Sequence, residues 1–253
     1  AYLCTKFGHF DSVREIFVNG KKKQIPWGAA HFLEHRMFSI NDIDASELFS
    51  SLGASSNAYT TYEKTVYYFE TNKNFYECLK ILLTMLNEFT STEKQIENEK
   101  SIIIQEMNMY NEDPSTVLNK CLFQNAYKDH PINKEIIGTI DTINATDVDT
   151  LKAIFDTFYD PSNLTLVVAG DINPDELEEF LNNNLLSIKN PKKIKPLKIN
   201  EQEDIVCDYG KAFLSTVSNT RMGLLYKLKQ YDDLKKKDKI YFCYNMIVDY
   251  LFE

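Results

Sequence analysis

His31-Phe32-Leu33-Glu34-His35 places two imidazoles and a carboxylate where they can act together. On a helix the two histidines, four residues apart, lie within about 40° of each other and one turn up. Glu34 falls about 60° to the other side of His31, so the three side chains share one face. Two neutral imidazoles on one face are a natural pair of zinc ligands, and a neighbouring carboxylate can take a proton from a water that the metal polarises. The order H-x-x-E-H inverts the commoner H-E-x-x-H protease motif. The competing explanation is a polar turn of a surface helix. Against it, the chain holds four histidines and two of them stand here at ligand spacing.

Two histidines do not make a stable zinc site; a third protein ligand is expected, with water in the fourth position. The helix expected at 92–110 offers Glu99 and Glu106, seven residues apart and so on one face two turns distant. Its other acids, Glu93 and Glu97, point elsewhere or sit in the first turn, where they suit the helix dipole. Ile102 and Ile103, between the two glutamates, predict that this face turns inward. A carboxylate there needs a partner, and a metal or a ligand histidine would serve. Spacing alone leaves open a pair of solvated helix acids. His9, in a turn, and His130, ahead of Pro131 in a loop, have no partner at ligand spacing.

The elements that must position these groups are legible in outline. Strands are expected at 1–6 and 13–19 around a Gly8 turn, with Gly20-Lys21-Lys22-Lys23 as a solvated turn. The motif helix covers 28–38, and its approach Gly28-Ala29-Ala30 is small enough to pack closely against a neighbour. Asp44 and Glu47 form a capping box for a short helix that Gly53 ends. Two strands follow between Ser55 and Thr71. Phe75, Cys78, Leu79, Leu82, Leu83 and Leu86 then mark a helix by their spacing. Thr90 and Glu93 form a second capping box for the helix that runs to about Tyr110. Helices at 115–127 and 146–158, a buried strand from Leu164 to Ala169, and a helix capped by Asn173-Pro174 complete the unit. Lys and Pro interleaved at 188–203 read as a linker, with strands near 204–208, 212–217 and 222–228 and a helix from about 233 beyond it. The fold class is therefore α+β: a mixed, mainly antiparallel sheet covered by helices over 1–187, a linker at 188–203, and the start of a second domain at 204–253.

Several stretches together resemble the pitrilysin/insulinase-type zinc peptidases, which include the mitochondrial processing peptidases. Gly28 to Phe38 is similar to their metal-binding signature. Gly53-Ala54-Ser55-Ser56-Asn57-Ala58-Tyr59-Thr60, followed by Thr65 and Tyr67, also matches, as does Glu99 to Tyr110. Tyr159 to Leu164, leading into Val167-Val168-Ala169-Gly170-Asp171, resembles the strand that closes the family's first domain. The pattern is nearest to the bacterial zinc-peptidase-like members. The resemblance implies zinc held by His31, His35 and Glu106, with Glu34 as the general base and Glu99 as a supporting residue that orients a ligand. It implies that Asn57 and Ala58 lie on an edge strand to which a peptide substrate adds as a further strand. It also implies a homo- or heterodimer with a related subunit, because the family closes a chamber from two homologous halves. Active members take an Arg and a Tyr from the second half; Arg221 and Tyr226 are not placed to stand in for them. Arg36 stands where the family often has Met or Lys, a departure with no expected consequence. The expected function is a zinc-dependent metalloendopeptidase acting on peptides or unfolded segments. The alternative is a non-catalytic peptide-binding or scaffold subunit of a related peptidase complex, which would usually have lost part of the metal set.

Composition narrows the field further. The chain has 253 residues and a net charge of -9, which argues against a nucleic-acid role built on phosphate neutralisation. No run approaches the roughly 18 apolar residues that cross a bilayer, so no membrane role is expected. Five scattered cysteines with no C-x-x-C pair, and no signal-peptide pattern, favour free thiols and a cytoplasmic setting. The chain opens without Met at Ala1 and closes in an apolar stretch at Leu251-Phe252-Glu253, as expected for a piece of a longer protein.

Overall fold

The structure is a computed structural model that describes residues 1–40 and 43–184, with positions 194–197, 199, 220–225, 227, 238–239, 241 and 243. In chain order the elements are β1 (Tyr2–Thr5), β2 (Glu15–Val18), β3 (Lys21–Gln24), α1 (Ala29–Met37), β4 (Ser39–Ile40), β5 (Ile43–Asp44), α2 (Ala45–Ser51), β6 (Ser55–Thr60) and β7 (Thr65–Glu70). These are followed by α3 (Phe75–Met85), α4 (Glu93–Glu112), α5 (Pro114–Ala126), α6 (Ile140–Asn144), α7 (Val148–Phe158), β8 (Leu164–Val167) and α8 (Pro174–Asn184). Short 3-10 turns occupy His9–Val13, Pro131–Asn133 and Pro161–Asn163.

The main sheet runs β6-β7-β1-β8 with every pair antiparallel. Alternation along the strands sorts its two faces. Leu3, Thr5, Thr65, Tyr67 and Phe69 turn toward the helices and are buried, whereas Tyr2 and Tyr59 lie on the outer face and are exposed. Ala29, Ala30, Phe32, Leu33 and Met37 of α1 join Cys78, Leu79, Leu82 and Met85 of α3 in one core with Ile96 and Ile103 of α4 and Leu151 and Ile154 of α7. The motif helix is therefore held at the centre of the helical layer. Among the described residues no helix is long and apolar enough to cross a membrane.

The small residues before the motif have a specific task. Gly28 sits at φ 90°, and a Cβ there would meet the Ile137 carbonyl oxygen at 2.5 Å. Gly138, at φ 88°, faces it, and a Cβ there would come within 2.6 Å of the Trp27 carbonyl oxygen. Only a pair of glycines allows the start of α1 and the chain at 137–138 to approach this closely.

Several expectations need correction. Lys21–Lys23 is not a turn but the second strand of a hairpin, paired Val18↔Lys21 to Glu15↔Gln24. The turn is Asn19-Gly20, both at positive φ, the pair that favours a two-residue hairpin. The cap of α4 is two residues later than expected: Thr92 and Gln95 form the capping box. The short helix α6 was not anticipated. Leu164–Val167 is an edge strand with alternating half-buried and exposed residues, and Val167 is 55% exposed. An apolar run cannot by itself distinguish a central strand from an edge. The strands expected near 204–208 and 212–217, and most of 188–203, lie outside the described residues. Where a strand was expected at 222–228, the described positions 222–225 and 227 are irregular, and positions 238–239, 241 and 243 are helical.

Candidate metal centre

The site is assembled from α1, α4 and the edge strand β6. The buried stripe of α1, Phe32, Leu33 and Met37, fixes its rotation, which leaves His31 and His35 half-buried and turned toward α4. Along α4, Ile96, Glu99, Ile103 and Met107 repeat at helical spacing and are buried, which carries Glu106 to the rim of the same face. The inward turn expected of that face holds for Ile103, at 1% exposure, and fails for Ile102, at 52%.

One donor atom from each of His31, His35 and Glu106 lies within 4.8 Å of the others. Glu106 Oε2 stands 3.3 Å from His35 Nε2 and 3.6 Å from His31 Nε2. That oxygen is buried and has no hydrogen bond. A buried carboxylate oxygen aimed between two imidazole nitrogens, and otherwise unsatisfied, suits a cation shared among the three. The donor set of two imidazoles and one carboxylate, with a cleft on its open side, fits zinc in a site that keeps a free position. Electrostatics agrees with this. Burial, helped by the His35 charge, lowers His31 to about 4. Burial also works against a charge on His35, but the Glu106 and Glu99 carboxylates outweigh it and raise that imidazole to about 9. The adjacent His35 imidazolium holds Glu106 down at about 2 against its burial. The two carboxylates thus favour a positive charge at His35, while burial and that charge keep His31 neutral.

Glu34 lies beside the trio with 8% exposure, and Thr60 of β6 donates its hydroxyl to Glu34 Oε2 at 2.5 Å. Burial raises the Glu34 carboxyl above the usual range, and the Thr60 bond opposes the rise. Glu99 does not join the trio. It accepts from His35 Nδ1 at 3.0 Å on Oε1 and from Arg36 Nη1 at 3.0 Å on Oε2. Burial works against its charge, but these two partners outweigh burial and hold the carboxyl below its ordinary range. Tyr110, one turn beyond Glu106, donates to Glu106 Oε1 at 2.8 Å.

His31, Glu34, His35, Asn57, Ala58, Thr60, Glu106 and Tyr110 open on one cleft of 630 Å³, whose far wall includes Phe123 and Ile132 to Ile137. Asn57 and Ala58 therefore border the site from the strand β6, which pairs with β7 along one edge. The Asn57 side chain accepts from the Ala58 N–H at 2.8 Å. Three contributors escaped the sequence: Thr60, Tyr110 and Arg36. Tyr110 was accessible in principle, since i, i+4 spacing puts it beside Glu106. Thr60 and Arg36 find their partners across the fold, and spacing carries no signal for that.

The sequence pattern described as Insulinase (Peptidase family M16) matches residues 22–140, and that described as Peptidase M16 inactive domain matches 146–248. The uncharacterized zinc protease YmfH of Bacillus subtilis is 35% identical over 209 residues, covering 81% of this chain and 48% of its own length. The mitochondrial-processing peptidase subunit beta of Bos taurus is 31% identical over 158 residues, 60% of this chain and 32% of its own length. An M16-like peptidase structure from Alicyclobacillus acidocaldarius superposes with a TM-score of 0.74 at 33% identity, covering 82% of this chain and 49% of that one. The chain spans about half the length, or less, of the curated relatives it matches.

Proposed function

The chain belongs to the insulinase (M16) peptidase family, and we propose that it is the site-bearing part of a zinc-dependent metalloendopeptidase. The observation that carries this reading is the convergence of His31, His35 and Glu106 donor atoms within 4.8 Å, with Glu34 alongside. His31, His35 and Glu106 would hold the metal. Zinc there would supply Lewis acidity toward a scissile carbonyl and toward a water.

The protein's own groups account for the rest. Glu34 takes the proton of the attacking water and passes it to the leaving amine. Thr60 engages Oε2, so Oε1 is the oxygen left for that transfer. Burial lifts the carboxyl toward the range in which one group can both accept and return a proton. Glu99 fixes the ring of His35 by accepting from Nδ1, which directs Nε2 at the metal position. Asn57 and Ala58, on the rim of the cleft, are where a peptide or unfolded segment would add to β6 through main-chain hydrogen bonds. Such a mode tolerates varied side chains and excludes folded substrates.

We further propose the organisation expected from the sequence: a site-bearing domain over 1–187, a linker at 188–203 and the start of a second domain at 204–253. The whole protein would pair with a related subunit, identical or catalytically silent, that closes over the open cleft. An exposed strand edge beside an active site argues for such a cover.

The test is peptide cleavage by the intact protein, followed by mass spectrometry with zinc supplied. Cleavage should be lost in Glu34→Gln while zinc is retained. The 253-residue chain should cleave poorly. Undiminished cleavage by Glu34→Gln would refute the assignment, and a monomeric 253-residue chain as fast as the intact protein would refute the need for a partner.

A further inference from the structure

Arg36 follows directly on the second histidine of the motif, yet its side chain turns away from the cleft and is only 11% exposed. Its two contacts lie on different segments. Nη1 donates to Glu99 Oε2 at 3.0 Å, in the middle of α4. Nε donates to Ser91 Oγ at 3.0 Å, just ahead of the Thr92 cap of that helix. Glu99 in turn uses its other oxygen, Oε1, for His35 Nδ1 at 3.0 Å. The four side chains form one relay: Ser91, Arg36, Glu99, His35. It ends at His35 Nε2, 3.3 Å from the orphaned oxygen of Glu106.

We infer that Arg36 is a positioning residue for the metal centre, which clamps the Glu99 carboxylate so that it presents Oε1 to His35 and directs His35 Nε2 into the trio. The inference rests on the metal reading proposed above. Its physical basis is the donor inventory. A guanidinium has only donors, in a rigid planar fork, so the carboxylate it holds must accept there and cannot rotate freely. Without that hold, Glu99 would be tethered by the histidine alone, the very group it has to orient. Outer partners of metal ligands commonly alter metal affinity by about 10–100-fold, and Arg36, one bond further out, belongs near the lower end. A purely structural role is the competing explanation, since Arg36 also ties the end of α1 to the start of α4. Such a role would change the stability of the fold and leave the zinc affinity of the folded chain alone.

Zinc affinity measured by chelator competition separates the two, with thermal unfolding of each variant recorded alongside. Arg36→Met should weaken zinc about 10-fold. Arg36→Lys, which keeps a cation within reach of Glu99 but loses the planar fork, should recover only part of the loss. Ser91→Ala should leave affinity within about twofold, because it removes only the outer anchor. In a Glu99→Gln background the further change Arg36→Met should cost nothing more, since both act through one carboxylate. If Arg36→Met folds poorly, Arg36→Gln serves the same comparison and should also weaken zinc. Wild-type affinity in both neutral variants would overturn the inference while leaving the metal reading intact. An equal loss in the presence and absence of Glu99 would also overturn it. A wild-type chain that binds no zinc would overturn the metal reading, and this inference with it.

Discussion

The four histidines of this chain fall into two pairs whose surroundings have almost nothing in common. His31 and His35 lie with ring centroids 4.6 Å apart, faced by Glu99 and Glu106, on a cleft. His9 is 1% exposed and sits 5.0 Å from Trp27 and 5.8 Å from Tyr62, with Nε2 donating to the Pro131 carbonyl at 3.1 Å. His130 packs against Phe10 and Tyr127, and its Nδ1 accepts from the Ile132 N–H at 3.1 Å. Carboxylates face the first pair, which is why it suits the cation proposed above. Aromatic rings and backbone turn the second into a clasp. The clasp has a location that matters, because it secures residues 130–132 where the chain enters the far wall of the cleft. One pair faces the chemistry and the other holds the wall opposite.

Removing a member of the first pair should have the largest effect. A closed structural zinc site is worth about 10–16 kcal/mol, so losing one of the three protein ligands here should weaken zinc on the order of 10²–10³-fold. His31→Ala should show that loss in a chelator competition without a comparable change in thermal stability. A loss of folding instead of metal would mean that this pair is also a clasp.

In the second pair, His9 should respond to acid and not to chelators. Burial lowers His9 from 6.5 to about 4. The unfolded chain therefore takes up this proton first as pH falls through that window. Stability contributed by neutral, buried His9 is intact above about pH 6.5 and is lost progressively toward pH 4, by about 3 kcal/mol in all. His9→Phe should flatten this part of the stability profile in urea titrations and leave zinc affinity within about twofold. An unchanged slope would contradict the account of the clasp.

Smaller effects are expected at the groups around the proposed metal position. Glu99→Gln should reduce zinc affinity by roughly 10–100-fold, and Glu106→Gln by more, because only the second removes a ligand anion. Equal affinities would mean that the roles within α4 are misassigned. Thr60→Val should lower the kcat/KM of the intact protein roughly tenfold, the worth of one hydrogen bond to a charged group, and spare zinc content. Loss of zinc in that variant would place Thr60 with the ligands rather than with Glu34.

How far the sequence foretold this contrast depends on distance along the chain. The pairing of His31 with His35 and of Glu99 with Glu106 follows from helical periodicity, and helices α1 and α4 stand where periodicity puts them. Which helix face meets which is a tertiary matter. Spacing left the two glutamates open as solvated acids, and the family resemblance supplied the expectation that Glu106 meets the histidines. The roles of His9 and His130 were invisible, because Trp27 and Tyr62 beside His9, and Phe10 beside His130, lie far along the chain. Arg36 was read only as a departure from the family's usual Met or Lys, and its partner could not be foreseen because that carboxylate lies 63 residues away. The edge position of β8 was missed because apolar content describes a strand's own residues and not its neighbours.

The most direct test of the central claim is metal analysis of the purified chain at pH 7, beside Glu34→Gln and His31→Ala. About one zinc per molecule is expected in the parent chain and in Glu34→Gln, and none in His31→Ala. Zinc retained by His31→Ala, or lost from Glu34→Gln to the same extent, would contradict that claim.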